Sequence, residues 1–186
     1  MLKPVASVYR KTIYYNTYDV TSFIDSAMAV GAVLGNGRYF PMHQNKPYKT
    51  PVFGLPKCRL NIIIEYADGK QQRLVTDESW RVTAKGPVRA NNEYDGEEYD
   101  ARMELGGWTL PGYDDRSWAK AERTDIPTGV LAPQMTPGMK AEEVASALSV
   151  TPHGNGTHII DFGQNMAGWI SVIPKGKSGD TIRIRY

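Results

Sequence analysis

The chain has one cysteine, Cys58, among 186 residues, which excludes an internal disulfide framework. Its three histidines, His43, His153 and His158, are scattered and do not make a zinc cluster with Cys58. Cys58 therefore reads as a small packed side chain. Charge of one sign is also lacking: 22 Lys and Arg against 20 Asp and Glu leave a net +2. That balance creates no long-range field to draw in nucleic acid or an anionic membrane, and neither is expected as a partner. No run of ~18 consecutive apolar residues occurs, and the N-terminal MLKPVASVYRKTIYY lacks a signal-peptide core. The chain carries no targeting signal of its own. What is abundant is turn and ring: 18 Gly, 12 Pro, 11 Tyr and 4 Trp suit many short strands better than a helical bundle.

The pattern of strands follows. In LNIIIEY, Leu60, Ile62, Ile64 and Tyr66 alternate with Asn61, Ile63 and Glu65 at the period of a pleated chain. Asp68-Gly69 tolerates positive φ and turns the chain back through Gln72 to Thr76, so residues 60–76 are predicted to form a hairpin. TIYYNTYDVT reads as extended, with Asp19 or Thr21 capping a brief helical turn through Ser22 to Ile24. AMAVGAVLG is an apolar run that stops at Gly35-Asn36-Gly37, and Phe40 to Pro56, with four prolines, is a loop. THIIDF, GWISVI and TIRIRY are three further strand candidates, the last ending mid-strand as at a cut. MKAEEVASALS is ambiguous, rich in helix formers within an otherwise all-β chain. Asn155-Gly156-Thr157 matches a glycosylation acceptor, but Asn-Gly is also a favoured hairpin turn.

The densest chemistry lies in NNEYDGEEYDAR, with seven Asn, Asp and Glu side chains between Asn91 and Asp100. An EF-hand is excluded, because its twelfth place, which needs a bidentate glutamate, is Arg102. A calcium site of another kind, drawing on Asn91, Asn92, Asp95 or backbone carbonyls, stays open. As catalytic carboxylates, Glu97, Glu98, Asp100 and Glu104 could flank a glycosidic bond, but spacing does not establish that role. No catalytic residue is therefore assigned. The plainer reading is a structural turn and strand in which Asp100 or Glu104 pairs with Arg102. Carbohydrate recognition needs flat rings with amides and carboxylates beside them. Trp108, between Gly106-Gly107 and Pro111-Gly112, is the best platform, with Tyr113, Asn92 and Asp95 as the companion residues. Trp80 in DESWRV and Trp118 in DDRSWAKA read as core anchors beside polar turns.

Taken together, TYDVTSFI, VLGNGRY, IEYADG, TDESW, EYDGEEYDAR, GW, YDDRSW, PQMTP and DFGQNMAGW follow the order found in bacterial α-L-rhamnosidases, which the chain resembles from about residue 12 to 186. EYDGEEYDAR and DFGQNMAGW are the specific motifs. The resemblance implies an all-β fold: a galactose-binding-like jelly roll over residues 1–125 and the start of a second β-sandwich over 126–186, both truncated. It further implies that catalysis, an inverting hydrolysis of terminal rhamnose, belongs to an α/α barrel elsewhere in the parent protein, of periplasmic or extracellular location. The partners it implies are that barrel and an L-rhamnose-containing glycan. It also implies that KAEEVASALSV is extended, against its propensity, and that some relatives carry a calcium-dependent rhamnose-binding module of this sandwich type.

Overall fold

A computed structural model describes residues 8–25, 27–41, 52–126, 128–138 and 140–186. The chain is all-β, of the β-sandwich class, and the described residues contain ten short strands joined in five two-stranded ladders. Two compact units, residues 3–137 and 138–186, divide it.

Within the first unit, β1 (Thr12–Tyr15) pairs in parallel with β8 (Val130–Pro133), Thr12 opposite Val130. Gln134 N–H donates to the Tyr15 carbonyl at 2.9 Å, and Asn16 Nδ2 donates to Gln134 Oε1 at 3.3 Å, extending the contact beyond the ladder. Gly129 packs so closely on the Tyr9 carbonyl that any Cβ there would clash with main chain. Strands β2 (Asn61–Glu65) and β3 (Gln71–Val75) form the hairpin that alternation and Asp68-Gly69 foretold, with Ile62 opposite Leu74. Ile62 and Ile64 are half-buried while Asn61, Ile63 and Glu65 are exposed, so the pleat sorts side chains by face. Strands β5 (Val88–Asn92) and β6 (Gly96–Tyr99) make a second hairpin out of the acidic stretch, with an irregular register between Val88 and Ala90.

The short strands β4 (Arg81–Val82) and β7 (Ala119–Lys120) arise from one local device used twice. Asp77-Glu78-Ser79-Trp80 and Asp115-Arg116-Ser117-Trp118 each form a turn in which the tryptophan N–H donates to the aspartate carbonyl, at 3.2 and 2.9 Å. Each tryptophan then leads straight into its strand, and the two strands pair antiparallel. Arg123 and Glu78 form an ion pair beside this junction. Trp80 and Trp118 are half-buried rather than enclosed core anchors. Among the described residues no large apolar side chain is fully buried; Pro41 is enclosed, and the buried polar residue is Asn92, 9% exposed.

In the second unit, β9 (Ser149–Pro152) and β10 (His158–Asp161) pair antiparallel around Gly154-Asn155-Gly156, so Asn-Gly is a hairpin turn here. Residues 140–148 form no helix despite their composition. A run of helix formers this short is costly to nucleate as an isolated helix. The strands expected in GWISVI and TIRIRY are not laddered among the described residues. Alternation gives a strand its faces, but only a neighbouring backbone gives it hydrogen bonds. Cys58 is exposed rather than packed, although neighbouring atoms desolvate its thiol and push its pKa up. The proline-rich loop from Phe40 to Pro56 lies partly outside the described residues, as do His43 and Met139.

Turns throughout both units are closed by aspartate. Carboxylate oxygens of Asp19, Asp68, Asp77, Asp100, Asp114 and Asp161 each accept the N–H two residues downstream, at 2.7–3.2 Å. At two of them an arginine joins in: Arg102 grips Asp100 through Nε and Nη2 at 2.8 and 2.7 Å, and Arg116 grips Asp114 in the same way. The pairing foreseen for Arg102 is thus made by Asp100. Arg102's side-chain bonds, then the Arg102 N–H, lower the Asp100 pKa from 3.8 to about 2. Asp19, Asp68, Asp77, Glu78 and Asp114 are lowered in direction by their own turn or ion-pair donors.

Two outcomes follow for stability. Because the folded state holds these carboxylates below their ordinary value, the unfolded chain takes up more protons in acid. The stabilisation is complete above the ordinary 3.8 and is lost as pH falls towards about 2. Melting midpoints recorded across this window should fall with pH, and Asp100→Asn should flatten the slope. Gly69, at φ +81° in the β2–β3 turn, should resist a side chain. Gly69→Val is expected to cost about 1–2 kcal/mol in denaturant unfolding, from left-handed backbone strain.

Candidate functional site

The β5–β6 hairpin carries the Asn, Asp and Glu side chains of residues 91–100, and its turn is organised by Asn92. The Asn92 Oδ1 accepts the N–H groups of Tyr94 and Asp95 at 2.8 and 2.9 Å, while its Nδ2 donates to Asp95 Oδ2 at 3.1 Å. Gly96 completes the turn at φ +82°. Burying Asn92 is affordable because these bonds satisfy its carboxamide. Asn91, next along the strand, is engaged elsewhere: its Nδ2 donates to Glu97 Oε2 at 2.9 Å, and its Oδ1 lies 2.7 Å from where a Cβ on Gly35 would sit.

The segment 27–38, read from sequence only as an apolar run, supplies the site's missing half. Gly31 presses against the six-membered ring of Trp108 so closely that a Cβ would overlap it. Four residues on, Gly35 meets Asn91, and Arg38 Nη1 then donates to Glu93 Oε1 at 2.6 Å and to the Tyr94 hydroxyl at 3.3 Å. Sequence reasoning missed these three residues. The available signal was the two glycines inside an apolar run, which mark close backbone approach.

The tryptophan itself is half-buried, delivered by consecutive turns in which Trp108 N–H donates to Leu105 O at 3.2 Å and Leu110 N–H to Gly107 O at 2.9 Å. Tyr113 is turned to a different neighbour, its ring 5.6 Å from Trp118 at 63°, edge to face. So Trp108 and the hairpin share the 27–38 segment as a common neighbour, while Tyr113 belongs to the Trp118 cluster.

For a calcium site drawn from Asn91, Asn92 and Asp95, the state of their oxygens matters. A hard cation needs several oxygens converging with free lone pairs. The Asn92 oxygen already takes two N–H groups, while Asn91 bonds Glu97 through Nδ2. Among the described residues no group of three or more His, Cys, Asp or Glu could hold a metal. Three carboxylates of the stretch have partners: Glu93 in Arg38, Glu97 in Asn91 and Asp100 in Arg102. A general acid for sugar hydrolysis needs a raised pKa, whereas Asp100 is held at about 2. Elsewhere in the first unit, an open groove of about 490 Å³ runs between Thr21 and Ile24 on one side and Ile63, Ile64 and Glu65 of β2 on the other.

Comparison with known proteins bears on the whole chain. Residues 151–186 match the bacterial alpha-L-rhamnosidase concanavalin-like domain. An alpha-L-rhamnosidase of Formosa agariphila is 36% identical over 99% of this chain, and one of Streptomyces avermitilis is 36% identical over all of it. The chain spans only 20% and 18% of the length of those relatives. Among solved structures, alpha-L-rhamnosidase from Dictyoglumus thermophilum superposes with a TM-score of 0.75 at 32% identity, covering 88% of this chain and 18% of that one. The Streptomyces avermitilis enzyme, solved in complex with L-rhamnose, superposes at 0.68 with 30% identity, covering 85% and 15%. Residues 1–143, more than three quarters of the chain, match the alpha-L-rhamnosidase N-terminal domain, and the chain belongs to that family.

Proposed function

We propose that this chain is a non-catalytic accessory region of an α-L-rhamnosidase, whose parent protein removes terminal α-L-rhamnose from glycans or glycosides by means of a catalytic barrel outside these residues. The carrying observation is that an N-terminal-domain family accounts for residues 1–143 while the chain spans about a fifth of its relatives' length. The commitment of Glu93, Glu97 and Asp100 to structural partners supports the same reading.

In this proposal the accessory region holds an L-rhamnose-bearing glycan against the free part of the Trp108 ring. Gly31 seats that ring, and Asp95 with Asn92 rims the neighbouring turn; Tyr113 serves as a secondary ring on the same loop. A monosaccharide offers few atoms, so affinity near millimolar is the expectation, about −4 kcal/mol. Titration with L-rhamnose followed by tryptophan emission or NMR shifts should saturate weakly. Trp108→Ala should abolish the response, and Gly31→Val, which displaces the ring, should weaken it. Calcium or a chelator should leave the curve unchanged. A flat titration of the unmodified chain at high millimolar sugar would remove the binding role.

A second reading, a structural spacer packed on the catalytic barrel, is favoured by a different observation. Large apolar side chains on the ladders are open to solvent, Ile63 at 60% and Val130 at 73% among them. Such surface on paired but uncovered strands invites association. Size-exclusion chromatography with light scattering should then find the chain self-associating alone and forming a one-to-one complex when co-expressed with the remainder of its parent protein.

A further inference from the structure

We propose that Asn155 is a site of spontaneous succinimide formation, so that the β9–β10 hairpin ages by deamidation at its tip. The sequence contains Gly-Asn-Gly twice, at 35–37 and 154–156, and the structure treats the two very differently. Residues 154–156 are exposed, with Gly154, Asn155 and Gly156 all at positive φ, +82°, +48° and +73°. The bonds that close the hairpin, His153 N–H to Thr157 O at 2.8 Å and Thr157 N–H to Gly154 O at 2.9 Å, run around them. Among the described residues, neither the Gly156 N–H nor the Asn155 carboxamide has a hydrogen-bond partner. Beyond its chain neighbours, nothing lies within 4 Å of the position a Cβ would take on Gly156, so the space beside this residue is open.

The chemistry requires only water and base. The Gly156 amide nitrogen loses its proton and attacks Cγ of Asn155; the new N–Cγ bond forms as the Cγ–Nδ2 bond breaks. The departing amide group leaves with that proton as ammonia, and a five-membered imide remains. Water then opens the imide at Cγ to give aspartate, or at the backbone carbonyl to give isoaspartate, whose main chain is one carbon longer. Either product carries one more negative charge than the starting amide.

Five other asparagines are held back, and Asn165 precedes Met166, whose side chain hinders attack by its nitrogen. Asn36 is half-buried, its carbonyl accepts the Phe40 N–H at 3.0 Å, and Gly35 beside it is pressed onto Asn91. Asn91 and Asn92 have their carboxamides bonded, and each is followed by a residue with a side chain. Asn61 lies inside β2 before Ile62, and Asn16, bonded to Gln134, precedes Thr17. An extra main-chain carbon at 155 falls inside the loop that sets Pro152 opposite His158, so the isoaspartyl form should lose that register.

The test incubates the folded chain in mildly alkaline buffer at body temperature, with peptide mapping by mass spectrometry and enzymatic isoaspartate quantification over time. The peptide containing Asn155 should gain the mass difference between water and ammonia ahead of the peptide containing Asn36. The deamidated fraction should show faster deuterium uptake at Val150 and Thr151, and Asn155→Gln should lose the isoaspartate signal. Another asparagine reacting first would overturn the proposal. So would retention of the Asn155 amide for as long as the denatured chain takes to lose it.

Discussion

An aspartate oxygen accepting the backbone N–H two residues ahead is the interaction on which this structure is built. It occurs at Asp19, Asp68, Asp77, Asp100, Asp114 and Asp161, in the β2–β3 reversal and in turns that flank other strands. With five ladders of two strands each and little enclosed apolar surface among the described residues, pairing alone specifies these segments weakly. Local closure of turns by charged acceptors supplies direction that a deep core would otherwise give. The same carboxylates, seen in sequence as a reservoir of chemistry, are thereby consumed as structure.

That economy is clearest where the chain repeats itself. Two Asp-x-Ser-Trp turns place two half-buried tryptophans and launch two strands that find each other across 38 residues, with Arg81 opposite Lys120. Like charges facing one another across a ladder are mildly unfavourable. The turns, the backbone bonds from Ala121 N–H to Trp80 O, and the Arg123–Glu78 pair offset that cost.

Much of this was legible in the residues. The β2–β3 hairpin was readable because Ile62 and Ile64 alternate with polar neighbours and Asp68-Gly69 permits only a tight reversal. The Asp100–Arg102 pair was readable because the two residues are adjacent in a turn. Partnership over distance was not: GWISVI and TIRIRY have the alternation of strands, and alternation says nothing about which backbone they would meet. Residues 140–148 were ambiguous for the complementary reason: their letters favour a helix, but propensity is a weak preference, and the extended form came only from the resemblance. At the candidate site, the ring of Trp108 could be picked out by its glycine-rich surroundings. Its seat on Gly31 could not, since that residue sits 77 positions earlier in a segment whose composition suggested burial alone. Nor could spacing reveal that the Asn92 oxygen accepts two N–H groups within its own turn. Cys58 was misjudged because small size favours burial on average without requiring it at any one position.

The parallel contact between β1 and β8 has a consequence for how such a protein is made. Arg10 and Thr128, which touch beside this ladder, are 118 residues apart. On a ribosome the first strand therefore emerges long before its mate exists and waits, edge bare, while the hairpins of residues 61–99 close within a few residues of their own synthesis. Joining the two ends comes last and closes the longest loop, so it sets the pace of maturation for the first unit.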